Sequence, residues 1–171
     1  MQDQDTELLL AIDQSITSSG ICIFSLDGEL QHHTIVGTDK KDYEGLDTPV
    51  FYRASKIAEQ VNLLMETFNI KHFCIEGLAM GNVAGNSNRD LAILQGMIMQ
   101  YVIKKVSPQH CKVVSPTAVK KFGSGNGRAK KDEMYDSLPP DIRDEFSFYK
   151  KTKGRYDVTD AFFIGKYYLS S

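Results

Sequence analysis

At 171 residues and 19.2 kDa, the chain is long enough for one domain with a real hydrophobic core and too short for two ordinary ones. Apolar residues at 42% and charged residues at 25% exclude a disordered, collagen-like or coiled-coil protein, no apolar run approaches the ~20 residues needed to cross a bilayer, and the acidic start Met1 to Asp5 is unlike a signal peptide. The net charge of −2 hides an asymmetry, −8 over residues 1–103 against +6 over 104–171, which leaves a solvated surface and a polyanion-docking face as the two readings of the basic C-terminal third. Cys22, Cys74 and Cys111 each lie in an apolar run, which fits buried thiols in a reducing cytoplasm rather than a disulfide frame or a zinc site.

Leu8 to Ile12 is a short apolar run bounded by charge, the pattern of a buried strand, and it ends at Asp13. Gly20 to Leu26 forms a second strand, Asp27-Gly28 a tight hairpin turn and Glu29 to Val36 a third strand. Gly37 to Pro49 reads as a loop, and Phe51, Ala54, Ile57, Ala58, Val61, Leu64, Met65 and Phe68 recur at helical spacing. Lys71 to Ile75 is a strand that again ends on a carboxylate, Glu76. A Gly- and Asn-rich loop over 77–88 leads to a helix marked by Leu91, Leu94, Ile98 and Val102. Cys111 to Val114 is a strand, Ser115 caps a short helix from Pro116 through Val119, and Phe122 to Gly127 is a flexible segment. Lys130 to Leu138 is helical and stops at Pro139-Pro140, and an apolar helix runs from Asp157 to Leu169. A three-strand antiparallel meander followed by βα alternation predicts an α/β domain spanning the chain, a mixed five-stranded sheet with parallel central strands and helices on both faces. This is the order of the ribonuclease H-like architecture.

Four carboxylates stand at element ends. Asp157 and Asp160 are three apart, on one helical face, and parallel neighbouring strands would bring Asp13 and Glu76 out side by side at the sheet's C-terminal edge. Acids placed so closely repel, and a hard divalent cation with oxygen ligands relieves them. Mg²⁺ is expected, with Mn²⁺ able to substitute. Two ions roughly 3.5–4 Å apart would suit in-line displacement at phosphorus, hence phosphodiester hydrolysis. Taken singly, the acids have plainer roles: Asp157 and Asp160 complement a helix dipole, and Asp13 opens a turn. His32, His33, His72 and His110 share no metal-ligand spacing and read as structural or surface residues.

The segment from Ala11 to Gly20, with Asp13, Ser15, Thr17, Ser18 and Ser19, closely resembles the D-x-S-x-T-S-T-G opening of phage-type RuvC-like Holliday junction resolvases. Ile75-Glu76-Gly77 with Leu91 to Gly96 resembles the second block of that family. Val114 to Met134, with Pro116, Lys120, Phe122, Gly125, Gly127, Ala129 and Lys131, resembles the third. Asp157-Val158-Thr159-Asp160-Ala161 looks like its D-x-x-D-A. The resemblance spans Leu8 to Leu169 in four ordered blocks. It implies a homodimeric endonuclease without organic cofactor or membrane partner, acting on branched DNA, chiefly four-way junctions, to leave symmetric nicks with 5′-phosphate and 3′-hydroxyl ends. Asp13, Glu76, Asp157 and Asp160 would be its metal ligands, with Asp13 bridging and Asp157 ligating or orienting water. Lys120 and Lys131 would be its active-site lysines. Lys121, Arg128 and Lys130 are then expected on backbone phosphates, with Asn82, Arg89, Lys151 and Arg155 as further DNA contacts.

The sequence departs from the bacterial pattern in two places. Gln14-Ser15 replaces Pro-Gly, and Ala79 stands where bacterial RuvC has a Phe used on junction bases. The helix from Asn88 to Lys104, with Met97, Met99 and Tyr101, is the expected dimer surface, although such a helix is as readily plain core. Two other classes compete: a junction-binding protein without catalysis, against which the intact acid set argues, and an actin-like ATP-binding domain, which would need a second such domain.

Overall fold

The computed structural model describes residues 6–78 and 86–171. Its sheet has five strands in the order β3-β2-β1-β4-β5: β1 (Leu8–Asp13), β2 (Ser18–Ser25), β3 (Leu30–Gly37), β4 (Ile70–Glu76) and β5 (Cys111–Val114). β1 to β3 form the expected antiparallel meander, and β4 and β5 extend it in parallel from β1. Helices α1 (Pro49–Thr67) and α2 (Asn86–Val102) cover one face. On the other lie α3 (Pro116–Ser124), α4 (Lys131–Asp136), α5 (Pro140–Phe146) and α6 (Arg155–Leu169). This is the mixed α/β sheet with two covered faces that the sequence leads one to expect.

Alternation along the central strands divides the core in two, because successive side chains leave a strand on opposite faces. Leu8, Leu10 and Ile12 of β1, with Phe73 and Ile75 of β4, pack against Ala54, Ile57, Val61, Leu94 and Ile98 of α1 and α2. Leu9 and Ala11 of β1, with Cys74 of β4, pack against Val158, Ala161 and Phe162 of α6. Cys22 and Cys74 are buried and Cys111 is half-buried; all three are free thiols. In α2 the apolar side chains divide: Leu94, Ile98 and Val102 are buried, and Met97, Met99 and Tyr101 pack part-buried against the same core.

Local differences from the sequence reading have local causes. β2 begins at Ser18 and α6 at Arg155, each two residues early. α3 runs through Phe122 to Ser124, so the first half of the segment read as flexible is helix; it ends where Gly125 takes φ 79 and donates its N–H to the Lys121 carbonyl at 2.9 Å, a left-handed cap that glycine adopts without strain. Ser115 sits at the N-cap, but its side chain makes no capping bond. α4 is shorter than expected, and its start is held by the Lys130 N–H donating to Glu133 Oε2 at 2.6 Å. Pro139-Pro140 does not end the helical region: Pro140 is the first residue of α5, a position where its missing N–H costs nothing.

Candidate active site

The alternation that divides the core also aims the acids. Asp13 follows Leu9 and Ala11 on the α6 face, and Glu76 follows Cys74 on that face. The β1/β4 register pairs Ile12 with Ile75, so the two carboxylates come next on parallel neighbouring strands. Gly20 of β2 lies opposite Asp13. A Cβ there would stand 2.0 Å from the Asp157 carbonyl oxygen, so only glycine lets the first turn of α6 rest on the strand. Ser18 completes the seat, its hydroxyl donating to Asp157 Oδ2 at 2.8 Å. Asp160 follows one turn later, facing the same edge.

The electrostatics show the groups acting on one another. Burial pushes Asp13 well above the usual carboxylate range, and repulsion from Asp160, Glu76 and Asp157 adds to it, with Lys131 opposing. Burial, then Asp160, raise Glu76 to about 7 against the pull of Lys120. Asp160 rises to about 6, chiefly through burial, with Lys131 and Lys120 opposing and Asp157 adding. Both lysines therefore reach the field of the acids, Lys120 from α3 and Lys131 from the first position of α4. Lys131 Nζ also stands 5.8 Å over the Tyr156 ring.

Spacing could not reveal several residues around this set. Gln14 donates through Nε2 to the Glu76 carbonyl at 3.1 Å and to Gln95 Oε1 at 2.9 Å, joining β1, β4 and α2. Its own Oε1 is buried and has no partner among the described residues. Tyr156 donates to Asp132, which Lys151 also meets at 3.0 Å. The glycines between the two lysines are only partly open: a Cβ on Gly127 would crowd Thr117, whereas Gly125 faces open space.

The remaining expected DNA contacts are scattered. Lys121, Arg128 and Lys130 are exposed near the lysine pair. Arg89 is exposed beside Asp90 at 3.4 Å. Asn82, like Ala79 and Met80, lies outside the described residues. Arg155 turns inward, donating to the Ser147 and Tyr149 carbonyls at 2.9 and 3.1 Å with its guanidinium over the Tyr135 ring, so its visible work is to hold a loop. The histidines are structural: His33 lies between Tyr149 and Glu145, and His72 stacks on His110 with ring centroids 4.1 Å apart. A cleft of about 870 Å³ lined by Thr6, Asn69 and Lys104 sits at the far, N-terminal ends of β1 and β4, away from the acids.

Among the described residues, no group of three or more His, Cys, Asp or Glu side chains is arranged to hold an ion. Mg²⁺ does not require one, because it keeps several waters and binds through one or two carboxylates plus substrate phosphate. The donor set fits that demand. It offers only hard carboxylate oxygens, they are half-buried, and the raised pKa values of Asp13, Glu76 and Asp160 record desolvation first and neighbouring negative charge second, both of which a cation would relieve.

The sequence matches no protein-family model and no curated protein. The fold does have solved counterparts. Thermus thermophilus RuvC superposes with a TM-score of 0.65 at 18% identity, over 92% of this chain and 90% of that one. The yeast mitochondrial Holliday junction resolvase Ydc2 gives 0.63 at 17%, over 94% and 77%, and the fowlpox virus Holliday junction resolvase 0.52 at 13%, over 95% and 97%. Sheet order, helical layers and these superpositions agree: the chain has the ribonuclease H-like fold of the RuvC-type resolvases.

Proposed function

We propose that the chain is a metal-dependent endonuclease that resolves four-way DNA junctions, acting as a homodimer to leave paired nicks with 5′-phosphate and 3′-hydroxyl ends. The observation that carries the reading is that Asp13 and Glu76, both half-buried, end neighbouring parallel strands on the face where α6 carries Asp160, with Lys120 and Lys131 beside them. A structure of Thermus thermophilus RuvC in complex with a Holliday junction substrate, similar at a TM-score of 0.65, supports branched DNA as the class of substrate.

Asp13, Glu76 and Asp160 would hold Mg²⁺, with Asp157 as a further ligand or water-orienting acid. Bound there, Mg²⁺ would supply an activated water and charge stabilisation at the leaving oxygen. The chain's own contribution is positional. Ser18 fixes the Asp157 carboxylate, and Gln14 ties the end of β1 to the end of β4. Lys131, over the Tyr156 ring, offers its ammonium to the scissile phosphate, and Lys120 does so from the Glu76 side. Lys121, Arg128 and Lys130 add salt-dependent affinity for the backbone. Exposed Leu63 and Ile103, at the α1 and α2 surface, support that side for the second copy.

The test is cleavage of a labelled synthetic four-way junction with Mg²⁺, beside a linear duplex and a flap, for the wild type and Asp13→Asn. Paired symmetric nicks on the junction that vanish in the variant while binding persists are the expected result. Binding without cleavage by the wild type in both Mg²⁺ and Mn²⁺ would leave a non-catalytic junction binder instead.

A further inference from the structure

Phe148 is 91% exposed, in the connection between α5 and α6. Single apolar side chains in water are ordinary on protein surfaces; the support beneath this one is not. Arg155 donates to the carbonyls on both sides of it, those of Ser147 and Tyr149, and the Tyr149 N–H closes on the Phe146 carbonyl at 3.1 Å. Phe146 is fully buried, edge-on to His33, Tyr149 and Phe162. The backbone is therefore fixed before and after a ring that is itself held out in solvent.

This connection borders the candidate active site. Arg155 opens the helix that carries Asp157 and Asp160. Lys151 meets Asp132, the neighbour of Lys131, and the Tyr156 hydroxyl meets the same carboxylate. Lys150, Lys151 and Lys153 are all exposed. A braced, outward aromatic ring among lysines, next to acids arranged for phosphodiester chemistry, matches a nucleic acid that offers phosphates and an open base face together.

We propose that Phe148 stacks on an unstacked base at the branch point of the DNA, with Lys150 and Lys153 on the flanking phosphates. The inference rests on the branched-DNA reading above. A linear duplex has no base face free at its interior, whereas a strand exchange point does, so the ring discriminates between the two without reading sequence.

The chain contains no tryptophan, so Phe148→Trp places a single indole at the position in question. Titration with a four-way junction, in Ca²⁺ to prevent cutting, should quench its emission, while a linear duplex of matched sequence should leave it unchanged even when bound. Phe148→Ala should weaken junction binding about tenfold, leave duplex binding unaltered and melt with the wild type. An unquenched indole on a saturated junction, or Phe148→Ala with unchanged junction affinity, would overturn the stacking role while the nuclease reading stands. A Phe148→Ala protein that sediments as a smaller species than the wild type would assign the ring to a contact between copies, which also overturns it. A wild type that neither binds nor nicks a junction would overturn the nuclease reading itself, and the stacking with it.

Discussion

Replacing Glu76 by Gln should make the metal-free protein more stable while removing its activity. Glu76 has its pKa raised from 4.5 to about 7, by burial first and Asp160 second. The folded state thus keeps a proton that the unfolded chain releases, so the stabilisation is full below about 4.5 and is lost as the pH rises through about 7. At about pH 8 the native carboxylate is ionised against that gradient, a cost of about 3 kcal/mol. Gln keeps the shape and removes the charge, at the loss of the attraction from Lys120, so a net gain of roughly 1–3 kcal/mol is expected, or a rise in Tm of roughly 3–10 °C for a chain of this length. The assay is thermal unfolding of wild type and Glu76→Gln in chelator across about pH 5 to 8, repeated with Mg²⁺. The difference should shrink below about 1 kcal/mol near pH 5, where the native glutamate is already protonated. Mg²⁺ at pH 8 should raise the wild type more than the variant, because an ion that binds only the native state stabilises it by mass action. A variant that melts below the wild type at pH 8 in chelator, or a gap that does not close toward pH 5, would refute the view that burial and Asp160 together oppose the ionisation of Glu76.

Two further outcomes follow from the geometry. Gly20→Ala brings a Cβ to 2.0 Å from a backbone oxygen of α6, so either the helix lifts or the fold weakens; a loss of about 3 kcal/mol or more in denaturant unfolding is expected, and a loss below about 0.5 would show that α6 is not seated there. Lys131→Gln should leave junction affinity within about threefold but lower single-turnover cleavage by roughly a hundredfold or more, whereas equal losses in binding and cleavage would make Lys131 an ordinary phosphate contact.

How much of this was legible in the chain differs by residue. The strand ends at Asp13 and Glu76 were plain, because an apolar run that stops on an acid is a local signal; that their strands are parallel neighbours was a condition of the sequence reading, which the pairing of β1 with β4 meets. The face on which both acids emerge follows from counting alternate positions back to Leu9 and Cys74. What was hidden is contact across long separations. Gln14 meets Gln95 and Ser18 meets Asp157 through bonds between residues far apart in the chain, and no periodicity announces them. α5 was missed for another reason. Seven residues opened by Pro140 and preceded by Pro139 carry little helical signal of their own, and it is the burial of Phe146 against Phe162 and His33 that holds the turn. Arg155 was read as a DNA contact from its company of lysines, and its bonds to the Ser147 and Tyr149 carbonyls are a structural role that charge pattern alone does not announce.

α6 is fastened at both ends. Ser18 holds Asp157 at its start, and near its end Lys166 donates to the Gly28 carbonyl at 2.7 Å while the Tyr168 hydroxyl lies 2.8 Å from His72. Bonds at both ends oppose sliding or tilting of the helix, which favours a template of fixed shape for the acids at its head. Conformity then falls to the nucleic acid. Ordinary duplex is stiff over tens of base pairs and charges an elastic cost for bending, whereas arms that meet at a branch swivel with little resistance. On the proposed function, preference for junctions over linear DNA would arise as a mechanical filter, set by how easily the substrate deforms rather than by any base sequence the protein reads.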